Sequence, residues 1–79
     1  MRGGLSPAHF TREFKRATGT SPHAYIMQRR LARAWRLLVA GKALADVASQ
    51  SGFCDQAHLS RLFKIRYGVT PGVFRRRLR

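Results

Sequence analysis

The chain repeats itself. Ala8, His9, Arg12, Phe14, Lys15, Gly19 and Pro22 recur as Ala57, His58, Arg61, Phe63, Lys64, Gly68 and Pro71, an offset of 49 positions held without a gap from Leu5 to Ile26. Softer matches fill the intervals: Phe10 with Leu59, Thr11 with Ser60, Ser21 with Thr70, Tyr25 with Phe74. A match that keeps the Gly and Pro punctuation together with the apolar positions marks a duplicated supersecondary unit. Two copies on one connector are too few for a solenoid. A chain of 79 residues is therefore expected to form one small domain, two lobes and the joint between them.

Each copy reads as a helix with its own start and stop. In the first, Ser6 is the expected N-cap, with Pro7 at the first helical position, where a missing N–H costs nothing. Gly19 ends that helix and Ser21-Pro22 opens the next. In the second, Asp55 caps, Gly68 stops and Thr70-Pro71 opens again. Strand-type alternation and hairpin dipeptides are absent, so the expected fold class is all-α.

Between the copies, roughly Pro22 to Ala40 reads as one long helix closed by Gly41. At about 100° per residue, Ala34, Met27, Leu38, Leu31 and Trp35 fall in one arc, extended by Leu37 and Ile26, which reads as core. Arg29, Arg33 and Arg36 lie opposite, in water. Arg30 falls within the apolar half and is expected to snorkel or to pair with one of the acids.

The next segment carries a helix-turn-helix signal. Ala43 to Gln50 forms a short helix, Ser51-Gly52-Phe53 turns, and the helix capped by Asp55 follows. Ala48 is small where the second helix crosses, Gly52 permits the sharp turn, and Val47 and Phe53 pack beneath it. Leu59, Leu62 and Phe63 then face inward, while Ala57, Ser60, Arg61 and Lys64 share the outward face. Small residues allow approach to a groove floor, Arg can fork onto guanine O6 and N7, and Lys reaches phosphate. The first copy repeats that face with Ala8, Thr11, Arg12 and Lys15 outward and Phe10 and Phe14 inward. Any one of these polar residues could be a solvated helix face. The same small–hydroxyl–Arg–Lys set behind two capped starts points to DNA. A connector of about 19 residues is ~28 Å long, against a groove repeat of ~34 Å along one side of B-DNA.

Charge agrees: 16 Lys and Arg face only three acids, Glu13, Asp46 and Asp55, for a net +13, so the partner is a polyanion. The longest unbroken apolar run, Leu37 to Ala40, is far short of the ~20 residues that span a bilayer, and no secretory signal is visible. One cysteine forms no internal disulfide, which suits a reducing cytosol. Cys54 and His58, at i and i+4, supply two ligands and no zinc site; Cys54 reads as a semi-buried residue at a helix start. No paired carboxylates or nucleophile triad are present, so the chain reads as no enzyme, without catalytic residues, metal or cofactor.

The chain resembles the DNA-binding domain of the AraC/XylS family of bacterial transcription regulators. The residues that carry the likeness are Gly19-Thr-Ser-Pro22-x-x-Tyr25, Arg30-Leu31-x-x-Ala34-x-x-Leu37-Leu38, Asp46-Val47-Ala48-x-x-x-Gly52-Phe53, Leu59-Ser-Arg-Leu-Phe-Lys64 and Tyr67-Gly68-x-Thr70-Pro71. The resemblance implies two helix-turn-helix lobes: residues 1–21 as the remainder of the first, 22–41 as the connecting helix and 42–79 as the second. It implies sequence-specific binding of double-stranded DNA, with Ala8, Thr11, Arg12, Gln56, Ala57, Ser60 and Arg61 at base-reading positions and Lys15 and Lys64 on phosphate. It further implies RNA polymerase as a partner, a cytoplasmic, nucleoid-associated location, and a separate effector-sensing domain that this chain does not contain. Three departures stand out. Ala43 replaces the family's Ser or Thr cap, so that helix should fray. Ala8 and Ala57 offer thymine only a methyl contact. Gly3 matches the turn glycine Gly52, so the chain starts inside the first turn and the first lobe is expected to be incomplete and loose, Met1 being an internal start or boundary within a longer regulator. A general nucleic-acid binder of nucleoid or ribosomal type, using the basic connector and an Arg75–Arg79 tail, is the alternative; a cationic amphipathic membrane peptide is a third.

Overall fold

The computed structural model of the chain describes residues 7–78. Five helices follow in order: α1 (Pro7–Thr18), α2 (Pro22–Val39), α3 (Leu44–Gln50), α4 (Gln56–Tyr67) and α5 (Pro71–Arg77), and the described residues contain no strand. Ser6 and Gly3, on which the first cap and the incomplete first turn were argued, lie outside the described residues.

The duplication is visible bond by bond. Gly19 N–H donates to the Lys15 carbonyl at 2.7 Å, and Gly68 N–H to the Lys64 carbonyl at 2.8 Å. Ser21 Oγ accepts from Ala24 N–H at 3.1 Å, and Thr70 Oγ1 from Val73 N–H at 3.3 Å. Each hydroxyl thus satisfies one of the donors that a helix start leaves orphaned, directly before a proline that has none to offer. The left-handed turn that ends α4, φ +85° at Gly68, is one that a side chain would strain.

What the two copies do not share is burial. Leu31, Ala34 and Leu38 of α2, Val47 and Ala48 of α3, Phe53, and Leu59 and Phe63 of α4 form one core, with Met27, Leu37, Leu44, Leu62, Tyr67 and Phe74 against it. Trp35 joins through its ring, 4.2 Å from Phe74 and 4.8 Å from Tyr67 between centroids, while its outer edge stays exposed. α1 buries no residue at all. It is held to α2 by Phe14 against Tyr25, with centroids 5.5 Å apart and nearly edge-on, and Phe10 continues that row at 5.8 Å from Phe14. The described residues measure 53 × 21 × 19 Å, the long direction set by an α2 that serves both ends.

Several expectations change here. Phe10, expected inward, is 47% exposed, because α2 is the helix α1 packs against and Phe14 occupies the contact. Ile26, placed on the core arc, is exposed, since it lies at the arc's edge beyond the reach of α3. Cys54 is exposed, not semi-buried, because the neighbouring Phe53 takes the buried position. The Arg75–Arg79 tail is partly helix: Arg75 is half-buried in α5 and donates from Nη2 to the Lys42 carbonyl, with its Nε buried and unpartnered.

Candidate nucleic-acid interface

The helix-turn-helix is built from local chemistry. Ala43 stands at the cap position before α3, and its side chain makes no capping bond, as an alanine must. Its end is stitched into the turn: Phe53 N–H donates to the Ala48 carbonyl at 2.9 Å, and the buried Ser51 hydroxyl donates to the Val47 carbonyl. Gly52 turns at φ +87°, and a Cβ there would lie 3.0 Å from Arg30 Nε. Asp55 Oδ1 accepts from His58 N–H at 2.8 Å and starts α4. The imidazole is spoken for: His58 Nδ1 accepts from Cys54 N–H at 3.3 Å and its ring stands edge-on to Phe53. No group of three or more metal-ligating side chains exists among the described residues.

This frame fixes which way α4 faces. Leu59 and Phe63 are fully packed, and Gln56, Ala57, Arg61 and Lys64 are exposed with Ser60 half-buried beside them. The outward set occupies the first three turns of a helix whose inner side is locked. On α1, Ala8, Thr11, Arg12 and Lys15 are likewise exposed. Glu13, the one acid on that helix, is turned aside and paired with Arg16 at 2.8 Å and His9 at 3.6 Å, which leaves Arg12 and Lys15 clear of a neighbouring carboxylate bond. All nine residues singled out from the sequence therefore belong to two solvent-facing helix surfaces, five on α4 and four on α1.

The basic residues outside those faces carry more than the sequence reading gave them. Arg33, expected in open water, donates from Nε to the Gln50 carbonyl at 3.0 Å and so satisfies one of the carbonyls left over where α3 ends. Arg30 pairs with none of the three acids and lies along Gly52. Arg29 sits over the Tyr25 ring, 5.9 Å from its centroid. The Arg33 and Arg30 contacts have no sequence signal, because each joins residues that only the tertiary fold brings together, whereas Arg29 and Tyr25 are an i, i+4 pair on α2.

Comparison with known proteins adds a consistent set of likenesses. A helix-turn-helix domain profile matches residues 2–77. The chain is 43% identical over 61 residues to the transcriptional activator NphR of Rhodococcus sp, covering 76% of this chain and 18% of that protein. It is 34% identical over 73 residues to the virulence regulon transcriptional activator VirF of Yersinia enterocolitica, covering 91% of this chain and 27% of VirF. Among solved structures, the DNA-binding domain of the global transcriptional factor AdpA, in complex with a target DNA, superimposes with a TM-score of 0.88 at 29% identity, over 95% of this chain and 68% of that one. The chain thus spans about a fifth to a quarter of the length of these curated relatives.

Proposed function

Because the chain belongs to the AraC/XylS-type helix-turn-helix family, we propose that it binds double-stranded DNA sequence-specifically, as the DNA-binding part of a bacterial transcription regulator. The observation that carries this reading is the matched pair of solvent-facing surfaces on α1 and α4, each a small residue, a hydroxyl, an Arg and a Lys in the same order. Neither surface is needed for the core, and the helix between them, α2, is ~27 Å long at 18 residues, against a groove repeat of ~34 Å.

The roles follow from side-chain chemistry. Arg12 and Arg61 fork onto guanine O6 and N7, and Gln56 presents an amide suited to adenine. Thr11 and Ser60 add short hydroxyl contacts, while Ala8 and Ala57 admit a thymine methyl. Lys15 and Lys64 hold phosphate and set register without reading sequence. In the whole regulator the protein partner would be RNA polymerase, as suits a relative of transcriptional activators. The compartment would be the cytoplasm, at the nucleoid; no helix among the described residues is long and apolar enough to cross a membrane.

Selection of bound sites from a random duplex library tests this directly. A shared motif with two adjacent half-sites, retained against excess heterologous duplex, is the expected result. Enrichment of no motif, with binding abolished by bulk DNA, would make the chain a general polyanion binder and refute the proposal.

A further inference from the structure

Arg29, Arg30, Arg33 and Arg36 line one open groove on α2, together with Ile26 and Ser51. The recognition surface of α4 does not include it. At about 100° per residue, Arg29, Arg33 and Arg36 point roughly 130–175° away from the mean direction of Leu31, Ala34 and Leu38, the side packed into the core with α3, α4 and α5. On α4, the outward set in turn points roughly 130° away from Leu59 and Phe63. Because both inner sides belong to one core, Arg29, Arg33 and Arg36 and the α4 recognition set lie on different outer sides of it, and Arg30 lines the edge of the groove that meets Gly52.

A run of solvated arginines would explain this if the side chains were free, but two are anchored to the turn of the helix-turn-helix. Arg33 is fixed by its Nε bond to the Gln50 carbonyl, and Arg30 is laid along Gly52. Both bonds and contacts use the inner edge of the guanidinium or its stem, which leaves terminal N–H groups for an anion. None of the three acids, Glu13, Asp46 and Asp55, forms an ion pair with them: Glu13 is taken by Arg16 and His9, and Asp55 accepts from the His58 backbone. Arg29 to Arg36 covers about 10 Å of helix rise, enough for two or three phosphates of one strand.

We infer that this groove holds the phosphate backbone of a second segment of duplex DNA, so that one chain bridges two duplexes. The inference rests on the reading of α4 as duplex-bound only in that the first duplex supplies the tether. Duplex DNA is the occupant because arginine forks match phosphate bidentately, and a chain already on DNA meets further DNA at high local concentration.

The test immobilises a duplex bearing the selected site, adds the 79-residue chain, and measures recovery of a labelled second duplex lacking the site. The variant is Arg29→Ala with Arg36→Ala, which spares the Arg33 bond; Arg29→Lys with Arg36→Lys is the charge-preserving control. Wild type should recover the second duplex, the alanine variant should hold the first duplex but recover far less of the second, and the lysine variant should restore it. Removing two phosphate contacts lowers the salt slope by about 1.8, so the wild-type advantage should shrink about 12-fold between about 50 and about 200 mM salt. Recovery by the alanine variant equal to wild type overturns the inference, as does wild type that holds the first duplex and recovers none of the second. If instead polyglutamate is retained by wild type alone and no second duplex is recovered, the groove takes an acidic protein surface and the inference falls. Failure to hold the first duplex at all is a different outcome, and refutes the proposed function together with the bridge that depends on it.

Discussion

Phe14 and Phe63 occupy the same place in the two copies of the repeat, and their replacement by alanine should have unlike consequences. Phe63 is 0% exposed, with ring centroids 4.6 Å from Tyr67, 5.7 Å from Phe74 and 6.3 Å from Trp35. Loss of a fully buried phenyl, counting transfer and the cavity left behind, costs about 3–5 kcal/mol. A chain of 79 residues has roughly 4–12 kcal/mol to lose, so Phe63→Ala should bring the α2–α5 core to the edge of unfolding. Phe14 is half-buried, and the ring contact it makes across to α2 is with Tyr25, an attachment of about 0.5–1.5 kcal/mol. The sole tryptophan, Trp35, lies in the aromatic cluster with Phe63, so its fluorescence in a urea titration reports that core and is blind to α1. Phe14→Ala should move the tryptophan midpoint by less than about 0.5 kcal/mol while weakening far-ultraviolet helix signal before the main transition. Equal shifts for the two variants, or a Phe14→Ala shift above about 1 kcal/mol, would mean α1 folds as part of the core and would refute the argument.

Arg61→Ala should cost about 1–3 kcal/mol on the preferred site and relax choice at one base pair, read by repeating the site selection. Lys64→Ala should weaken all duplexes alike and lower the salt slope by about one, measured by titration at several ionic strengths. Gly52→Ala should destabilise by about 1–2 kcal/mol through φ +87° alone; since Arg30 is the flexible neighbour, adding Arg30→Ala should recover little of the loss in thermal melts. Arg33→Met should remove the bond to the Gln50 carbonyl, cost about 0.5–1.5 kcal/mol, and raise amide exchange at the end of α3 ahead of α4.

Local chemistry was legible in the sequence and tertiary contact was not. Ser21, Asp55, Thr70 and Gly68 act within four residues of themselves, so type and spacing sufficed to place them. The inner and outer sides of α4 followed from helical periodicity alone. The bond from Arg33 to Gln50 spans 17 residues and that from Arg75 to Lys42 spans 33, and nothing in either arginine's neighbourhood distinguishes it from a solvated one. Phe10 shows the converse failure: its type and repeat position argue for burial, and only the absence of a facing helix among the described residues leaves it out. Eight of the nine candidate recognition residues stand out because the repeat states them twice; Gln56, opposite Pro7 in the repeat, is named by the family resemblance alone.

The weak hold on α1 has a consequence for how operators are written. On the proposed reading, α4 arrives rigid and α1 arrives on a tether, so the two half-sites are engaged in sequence, with the second at an effective concentration set by the joint at Phe14 and Tyr25. Ordering α1 on its groove consumes part of the free energy of its contacts. A mismatch under α4 therefore abolishes capture, whereas one under α1 shortens residence. Sites bound by this 79-residue chain should be strict in the α4 half-site and tolerant of drift in both sequence and spacing in the α1 half-site, so that affinity is graded by one end of the site while identity is fixed by the other.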